Sequence, residues 1–219
     1  MQGDVERFLD GRAGEMAALS DRLGKNPEVS GHEFESSRVF AETLSKDGFE
    51  VEYPFMGIET AFMAKKKCGP GGVVALLAEY DALPGIGHGC GHNLHGTLSV
   101  YAGLALARAV EKTGGEVWVV GTPAEETDGA KVPMAREGVF DGADLAMMLH
   151  SNAGKSFVDM RVLAIEAFEF VFKGRTAHSA AAPWDGISAL NALRLFLNAV
   201  DMLRLHLRPT SRVHAVVSE

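Results

Sequence analysis

The sequence predicts an α/β protein, a catalytic domain with a central, mostly parallel sheet flanked by helices, followed by part of a smaller α+β lid or dimerisation domain. Three observations predict it. Apolar runs at residues 73–80, 117–121 and 143–149 alternate with helical stretches at 94–112 and 130–137, the order that builds a parallel sheet with helices on its faces. Each run is followed at once by polar groups that ligate metals: Asp81, Cys90 and His92 after the first, Glu125 and Glu126 after the second, His150 after the third. From about Leu163 the pattern changes to long apolar and amphipathic stretches of a different unit.

The elements follow in order. Val5, Phe8, Leu9, Met16, Leu19 and Leu23 form the apolar stripe of a first helix that Gly11 and Gly14 weaken and Asn26-Pro27 ends. Ser30 and Glu33 have the spacing of a capping box for a second helix, whose Phe34, Val39, Phe40 and Leu44 recur at helical intervals until Gly48. Residues 49–53 and 60–66 read as strands, and the turn at Gly69-Pro70-Gly71-Gly72 returns the chain into the 73–80 run. No Gly-Lys-Ser/Thr follows those glycines, so they form no phosphate loop. The 94–112 stretch is apolar nearly all round and reads as a well-buried helix, and 143–149 as another buried strand. Beyond residue 163, a strand over 165–172, a long helix over 184–207 and a further strand from 212 are expected. Such a unit leaves strand edges unpaired, so the chain is expected to continue past Glu219. The domain boundary is placed at 162/163.

Composition narrows the function. The 219 residues are 47% hydrophobic, with a formal charge of -8 and no collected basic face, which argues against phosphate-backbone partners. No apolar stretch reaches the roughly 18 residues of a membrane span, and the acidic N-terminus (Asp4, Glu6, Asp10) lacks the layout of a secretory signal. A cytoplasmic protein, with Cys68 and Cys90 reduced, is the expectation.

The chemistry centres on GHGCGHN, residues 87–93. A thiolate at Cys90 and an imidazole at His92 suit zinc and related divalent ions, and the alternating glycines let both side chains turn toward one point. In a parallel sheet the chemistry-bearing strand ends share one edge, so residues seventy positions apart can converge. An isolated Glu-Glu pair is ordinarily a solvated surface feature. Glu125 and Glu126 instead follow an apolar strand and a Thr-Pro turn, and adjacent side chains in an extended loop diverge, so one can bind metal while the other handles a proton. His88 and His95 flank the loop and read as supporting residues. Met147, Met148, Met160 and Met202 read as core filler.

Four motifs in register carry a family resemblance: residues 78–96 (AEYDALPGIGHGCGHNLHG), 122–126 (TPAEE), 147–150 (MMLH) and 174–181 (GRTAHSAA). Together they resemble the aminoacylase-like amidohydrolases of the dinuclear metallopeptidase superfamily that includes the glutamate carboxypeptidases, in the branch of p-aminobenzoyl-glutamate hydrolases and dipeptidase-type proteins. Asn93, where the wider family has Asp or Asn, fits that branch. The resemblance implies that Cys90, His92, Glu126 and His150 ligate two divalent ions (zinc, manganese or cobalt), that Glu125 is the general base and that Asp81 supports the metal site. It also implies that His178 steadies the substrate carbonyl from a lid that dimerises, and that Asn191 lies near positions binding the substrate carboxylate. Relatives donate one more histidine from a segment beyond the length of this chain.

The implied reaction is hydrolysis of an amide bond beside a free carboxylate, in an N-acyl amino acid, a dipeptide or an aminobenzoyl-glutamate-like substrate, by water activated between two cations about 3.5–4 Å apart. Two alternatives stay open: Cys90 as a metal-free nucleophile activated by a nearby histidine, and a catalytically incomplete module that only binds metal or dimerises.

Overall fold

The computed structural model describes residues 2–156, 158 and 162–218. The chain forms two compact units, residues 1–155 and 156–219.

The first unit is built on five strands: β1 (Glu50–Glu52), β2 (Phe62–Lys67), β3 (Val73–Ala78), β4 (Glu116–Gly121) and β5 (Leu145–Met148), in the spatial order β1-β2-β4-β3-β5. β4, β3 and β5 pair in parallel, β2 runs antiparallel to β4, and β1 antiparallel to β2, so four of the five strands point the same way. Strand β4 (EVWVVG) shows how the sequence sets the layers. Its alternate residues Val117 and Val119 join one core with helices α1 (Gln2–Lys25), α2 (Phe34–Lys46) and α3 (His92–Thr113). Trp118 and Val120 join the other core with Ala130 and with Met134 of α4 (Lys131–Arg136). The period of two along the strand thus becomes two buried faces.

Helix α3 crosses β3 at close range. A methyl group on Gly96 would lie 1.9 Å from the Glu79 carbonyl oxygen and 3.0 Å from the Phe40 ring. That obstacle is backbone and cannot rotate away. Gly96→Ala is therefore expected to destabilise by at least the upper end of the roughly 1–3 kcal/mol typical of overpacking, lowering Tm by about 2–4 °C for each kcal/mol. An unchanged thermal melt would contradict this packing.

Several expectations change. Helix α1 runs unbroken through Gly11 and Gly14, anchored where Arg12 makes two 3.1 Å hydrogen bonds to Asp47. The capping box does not form. Glu33 is the residue before α2 but makes no side-chain cap. The helix is instead capped from further back by Glu28, whose carboxylate accepts from the backbone N–H groups of Glu35 and Ser36. Ser30 and Glu33 are drawn elsewhere because buried groups near the sheet edge need them. Strand β5 is exposed rather than buried, with Leu145 and Met147 each about half exposed, because it is an edge strand paired on one side only.

In the second unit the expected strands at 165–172 and 212–217 are not formed, since a strand needs a partner and the described residues there offer only the isolated Arg175–Ile187 bridge. The expected long helix is shorter: α5 (Ala189–Leu203), capped by the Ser188 hydroxyl, lies between single turns at Pro183–Asp185 and Arg204–His206. The Phe196 ring of α5 packs at a tilt against Phe170 and Phe172, with centroids 4.7 and 5.7 Å away. Met160 lies outside the described residues.

Candidate metal centre

Because β3, β4 and β5 are parallel, their carboxyl ends open onto one edge. The chain leaving β3 supplies Glu79 and Asp81, the chain leaving β4 supplies Glu125 and Glu126, and the chain leaving β5 supplies His150. Helix α3 begins at the same edge and presents His92 and His95, three residues apart on one helix face. Its N-cap, Gly91, has φ 79°, and a side chain there would collide with Ser151.

His92 is fully buried and sits at the middle of the cluster. Its Nδ1 lies 2.9 Å from Asp81 Oδ1. The carboxylate can only accept, so Nδ1 carries the proton and Nε2 keeps a free lone pair. That Nε2 lies 3.6 Å from Glu79 Oε2, 3.6 Å from Glu125 Oε2 and 3.7 Å from Glu126 Oε1. His150 is set the same way, with Nδ1 2.7 Å from the Ser151 carbonyl and Nε2 4.0 Å from Glu79 Oε2.

Asp81 does more than orient His92. Its Oδ2 accepts from the Ser30 hydroxyl at 2.7 Å and from the Glu126 backbone N–H at 2.9 Å. Burial pushes the Asp81 carboxyl up, but these three hydrogen bonds outweigh it and hold the group well below the usual carboxylate range. A second buried carboxylate, Glu33, grips the same turn from the other side. It accepts from the Ala124 N–H at 2.8 Å and from the Thr60 hydroxyl at 3.0 Å. Between these two anchors Ala124 takes φ 59°, a left-handed conformation uncommon for alanine, and Glu125 and Glu126 follow it into the site.

The electrostatics favour a cation. Glu79, Asp81, Glu125 and Glu126 face the site, against the single ammonium of Lys131, which pairs with Glu79 Oε1. Burial lowers the basicity of His92, but its bond to Asp81 and the fields of Glu79 and Glu125 more than reverse this and raise its pKa. Burial, together with His92, His150 and Lys131, pushes His95 down to about 3, so it is neutral. Burial and the charge of Glu79 raise Glu125.

Buried polar atoms without partners mark the spot. Glu79 Oε2, His92 Nε2 and both ring nitrogens of His95 have none among the described residues. Unpaired buried groups of this kind are rare. Two sets of donors lie mutually within 4.8 Å, Glu79 with His92, His95 and His150, and His92 with Glu125 and Glu126. Imidazole nitrogens and carboxylate oxygens suit zinc-type cations, so the residues present fit a metal.

His92, His150, Glu125, Glu126 and Asp81 are thus brought together. Cys90 is half-buried beside Glu126, outside both tight sets, and the Glu126 carboxylate and burial push its thiol up to about 11. Cys68 and Cys90 are both free. His88 Nδ1 accepts the Asn93 N–H at 3.2 Å, while the Asn93 amide pins α3 to Ser20 of α1. His178 belongs to the second unit, where its Nδ1 accepts from the N–H groups of Ala180 and Ala181. Asn191, also in that unit, lies in the first turn of α5, its N–H bonded to the Ser188 hydroxyl. Glu79, Glu33 and Lys131 were not singled out from sequence. A signal existed for Glu79, which stands two residues before Asp81 at a strand end, where alternate residues share a side.

A parallel α/β sheet with a buried histidine and carboxylate cluster at its carboxyl edge defines the class, an α/β protein with a divalent-cation type of site. The chain belongs to peptidase family M20/M25/M40, whose model matches residues 75–200. It is 35% identical over its whole length to one of the p-aminobenzoyl-glutamate hydrolase polypeptides of Escherichia coli, covering 47% of that protein. It is 34% identical to the Xaa-Arg dipeptidase of Mus musculus over 95% of the chain, covering 51% of that protein. The chain thus spans about half the length of these curated relatives. Among solved structures, the fold is shared with a putative aminohydrolase from methicillin-resistant Staphylococcus aureus (TM-score 0.69, 24% identity, 95% of this chain and 59% of that one). It is also shared with a dinuclear metal-binding M20 peptidase of Bacillus subtilis (TM-score 0.56, 24% identity, 64% of this chain and 43% of that one).

Proposed function

We propose that the full-length protein is a metal-dependent hydrolase that cleaves an amide bond next to a free carboxylate, in dipeptides, N-acyl amino acids or aminobenzoyl-glutamate-like substrates. The observation that carries this reading is the meeting of two donor sets at the carboxyl edge of the sheet, one with His150 and one with Glu125 and Glu126, both sharing His92, whose buried Nε2 has no hydrogen-bond partner among the described residues. Family membership and the names of the relatives, a p-aminobenzoyl-glutamate hydrolase and a dipeptidase, support the substrate class.

Cys90, His92, Glu126 and His150 would hold the cations, with zinc, manganese and cobalt all suited to that donor set. Bound there, divalent cations make water acidic and polarise a carbonyl. Asp81 fixes the His92 ring and the Glu126 backbone. Glu125, its pKa raised by burial and by Glu79, would take the proton of the attacking water and return it to the leaving amine. In the second unit, the N–H groups on His178 Nδ1 place the proton of the neutral ring on Nε2, which makes that nitrogen a donor suited to the substrate carbonyl oxygen. Residues 163–219 would form part of a lid through which the protein pairs as a homodimer, and Asn191 would help bind the substrate carboxylate. No helix among the described residues is long and apolar enough to cross a membrane.

The metal-free cysteine reading is disfavoured by the surroundings of Cys90: a nucleophilic thiol needs a lowered pKa, and this one is raised by its hydrogen bond to Glu126, by burial and by the carboxylate charge around it. Elemental analysis of the full-length protein is expected to find divalent metal. Chelation should reduce hydrolysis of a dipeptide and acyl-amino-acid panel at least 100-fold, and reloading with zinc, manganese or cobalt should restore it. Full activity in demonstrably metal-free protein would overturn the proposal, and sedimentation as a monomer would overturn the dimer.

A further inference from the structure

Two members of the cluster have no role in the reading above. Glu79 is 1% exposed, and it splits its oxygens between two tasks. Oε1 takes the Lys131 ammonium, while Oε2 has no hydrogen-bond partner among the described residues and lies near three imidazoles. It lies 3.6 Å from His92 Nε2, 3.7 Å from His95 Nε2 and 4.0 Å from His150 Nε2. Four donors around a tetrahedral cation, with bonds of about 2.0–2.1 Å, stand roughly 3.3–3.4 Å apart. The spacings to His92 and His95 are within about 0.4 Å of that, and the spacing to His150 is about 0.6–0.7 Å longer.

His95 is equally unexplained by packing. It is buried, neither ring nitrogen has a hydrogen-bond partner among the described residues, and its ring lies against His92 at 4.7 Å and His150 at 4.4 Å between centroids. Three imidazoles and a carboxylate oxygen gathered without hydrogen bonds among them is the arrangement that a shared cation relieves. There is also a limit on His92. Its one free lone pair lies near both donor sets and can serve only one cation. Glu79, His95 and His150 still form a three-donor set without it.

We propose that Glu79 and His95 are cation donors which, with His150, make one divalent-ion pocket of the centre, distinct from the Glu126 side. The inference rests on the metal-dependent reading above. Lys131 then acts as a positioning residue, holding Oε1 so that Oε2 faces the imidazoles.

The test uses the full-length protein, stripped with chelator and titrated with Co2+, reading metal stoichiometry and the visible absorption of bound cobalt. Glu79→Gln and His95→Gln are each expected to weaken one of the cobalt ions at least tenfold and to change its absorption, with the other ion held as before. Lys131→Gln, which loosens the hold on Oε1 but removes no donor, is expected to weaken that same cobalt ion by less than Glu79→Gln does, with the other ion held as before. If Glu79→Gln does not fold, His95→Gln decides alone. Parent-like affinities and spectra in the folded donor variants would overturn this inference and leave the hydrolase proposal standing. A parent protein that takes up no cobalt would overturn both.

Discussion

Glu125→Gln in the full-length protein is expected to cut turnover about 10²–10⁴-fold, the usual contribution of a positioned general acid–base, while the fold and the metal content stay as in the parent. The amide keeps the size of the carboxylate and removes only its ability to take a proton. Glu79, Glu126, Lys131 and His92 act on it, with Glu125 Oε2 3.6 Å from His92 Nε2. The side chain is 35% exposed, more than any other carboxylate of the site, so it is the carboxylate most open to water. Steady-state kinetics on a dipeptide substrate, with elemental analysis of the same sample, separate the two contributions. Turnover within tenfold of the parent would remove Glu125 as the base. Loss of metal along with activity would make it a ligand instead.

Asp81→Asn should be nearly as damaging by a different route. The carboxylate accepts three hydrogen bonds at once, from His92, Ser30 and the Glu126 backbone. An asparagine amide has one acceptor oxygen and one donor nitrogen. Whichever way it is turned, an N–H group meets another donor, and either the His92 ring or the Glu126 turn loses its anchor. Loss of such a supporting partner typically weakens metal binding about 10–100-fold, and an unsatisfied buried partner costs about 1–3 kcal/mol in stability. Competition with a chromophoric chelator measures the first and thermal melting the second. The pH dependence has a definite sign. A carboxyl held below its unfolded value, about 3.9, contributes stability that is fully present above that pH and fades as the pH falls through the folded value. Near neutrality the gap in stability between metal-free parent and variant should widen as the pH falls, because Asp81 favours protonated His92, and it should shrink below about pH 4 as the Asp81 carboxylate is lost. A gap that kept growing below about pH 4 would contradict the hydrogen bonding described.

Much of the first unit was legible before the fold. The apolar runs became β3, β4 and β5, and the stretch after GHGCGHN became α3; for β3, β4 and α3 the reason is burial in the two cores, which demands continuous apolar strands and a well-buried helix. The strand-end residues Asp81, Glu125, Glu126 and His150 were also legible, since parallel strands expose their carboxyl ends together. Ser30 and Glu33 were misread because their local spacing satisfies a capping box as well as it satisfies distant buried donors. The second unit fared worse at 165–172 and 212–217, where an extended apolar pattern marks strand character but does not supply a partner strand.

By itself the sequence determined the alternation of elements, the family, and which residue types could bind a cation, because these follow from local periodicity and from motifs contiguous in the chain. Only the tertiary structure decided which carboxylate grips which turn, that Glu79 and His95 join the cluster, and that Cys90 stands beside Glu126 instead of within the tight donor sets. Those outcomes depend on distances between segments that share no local signal. They are fixed by the need of each buried charge or imidazole to find a partner when the sheet and α3 close around it.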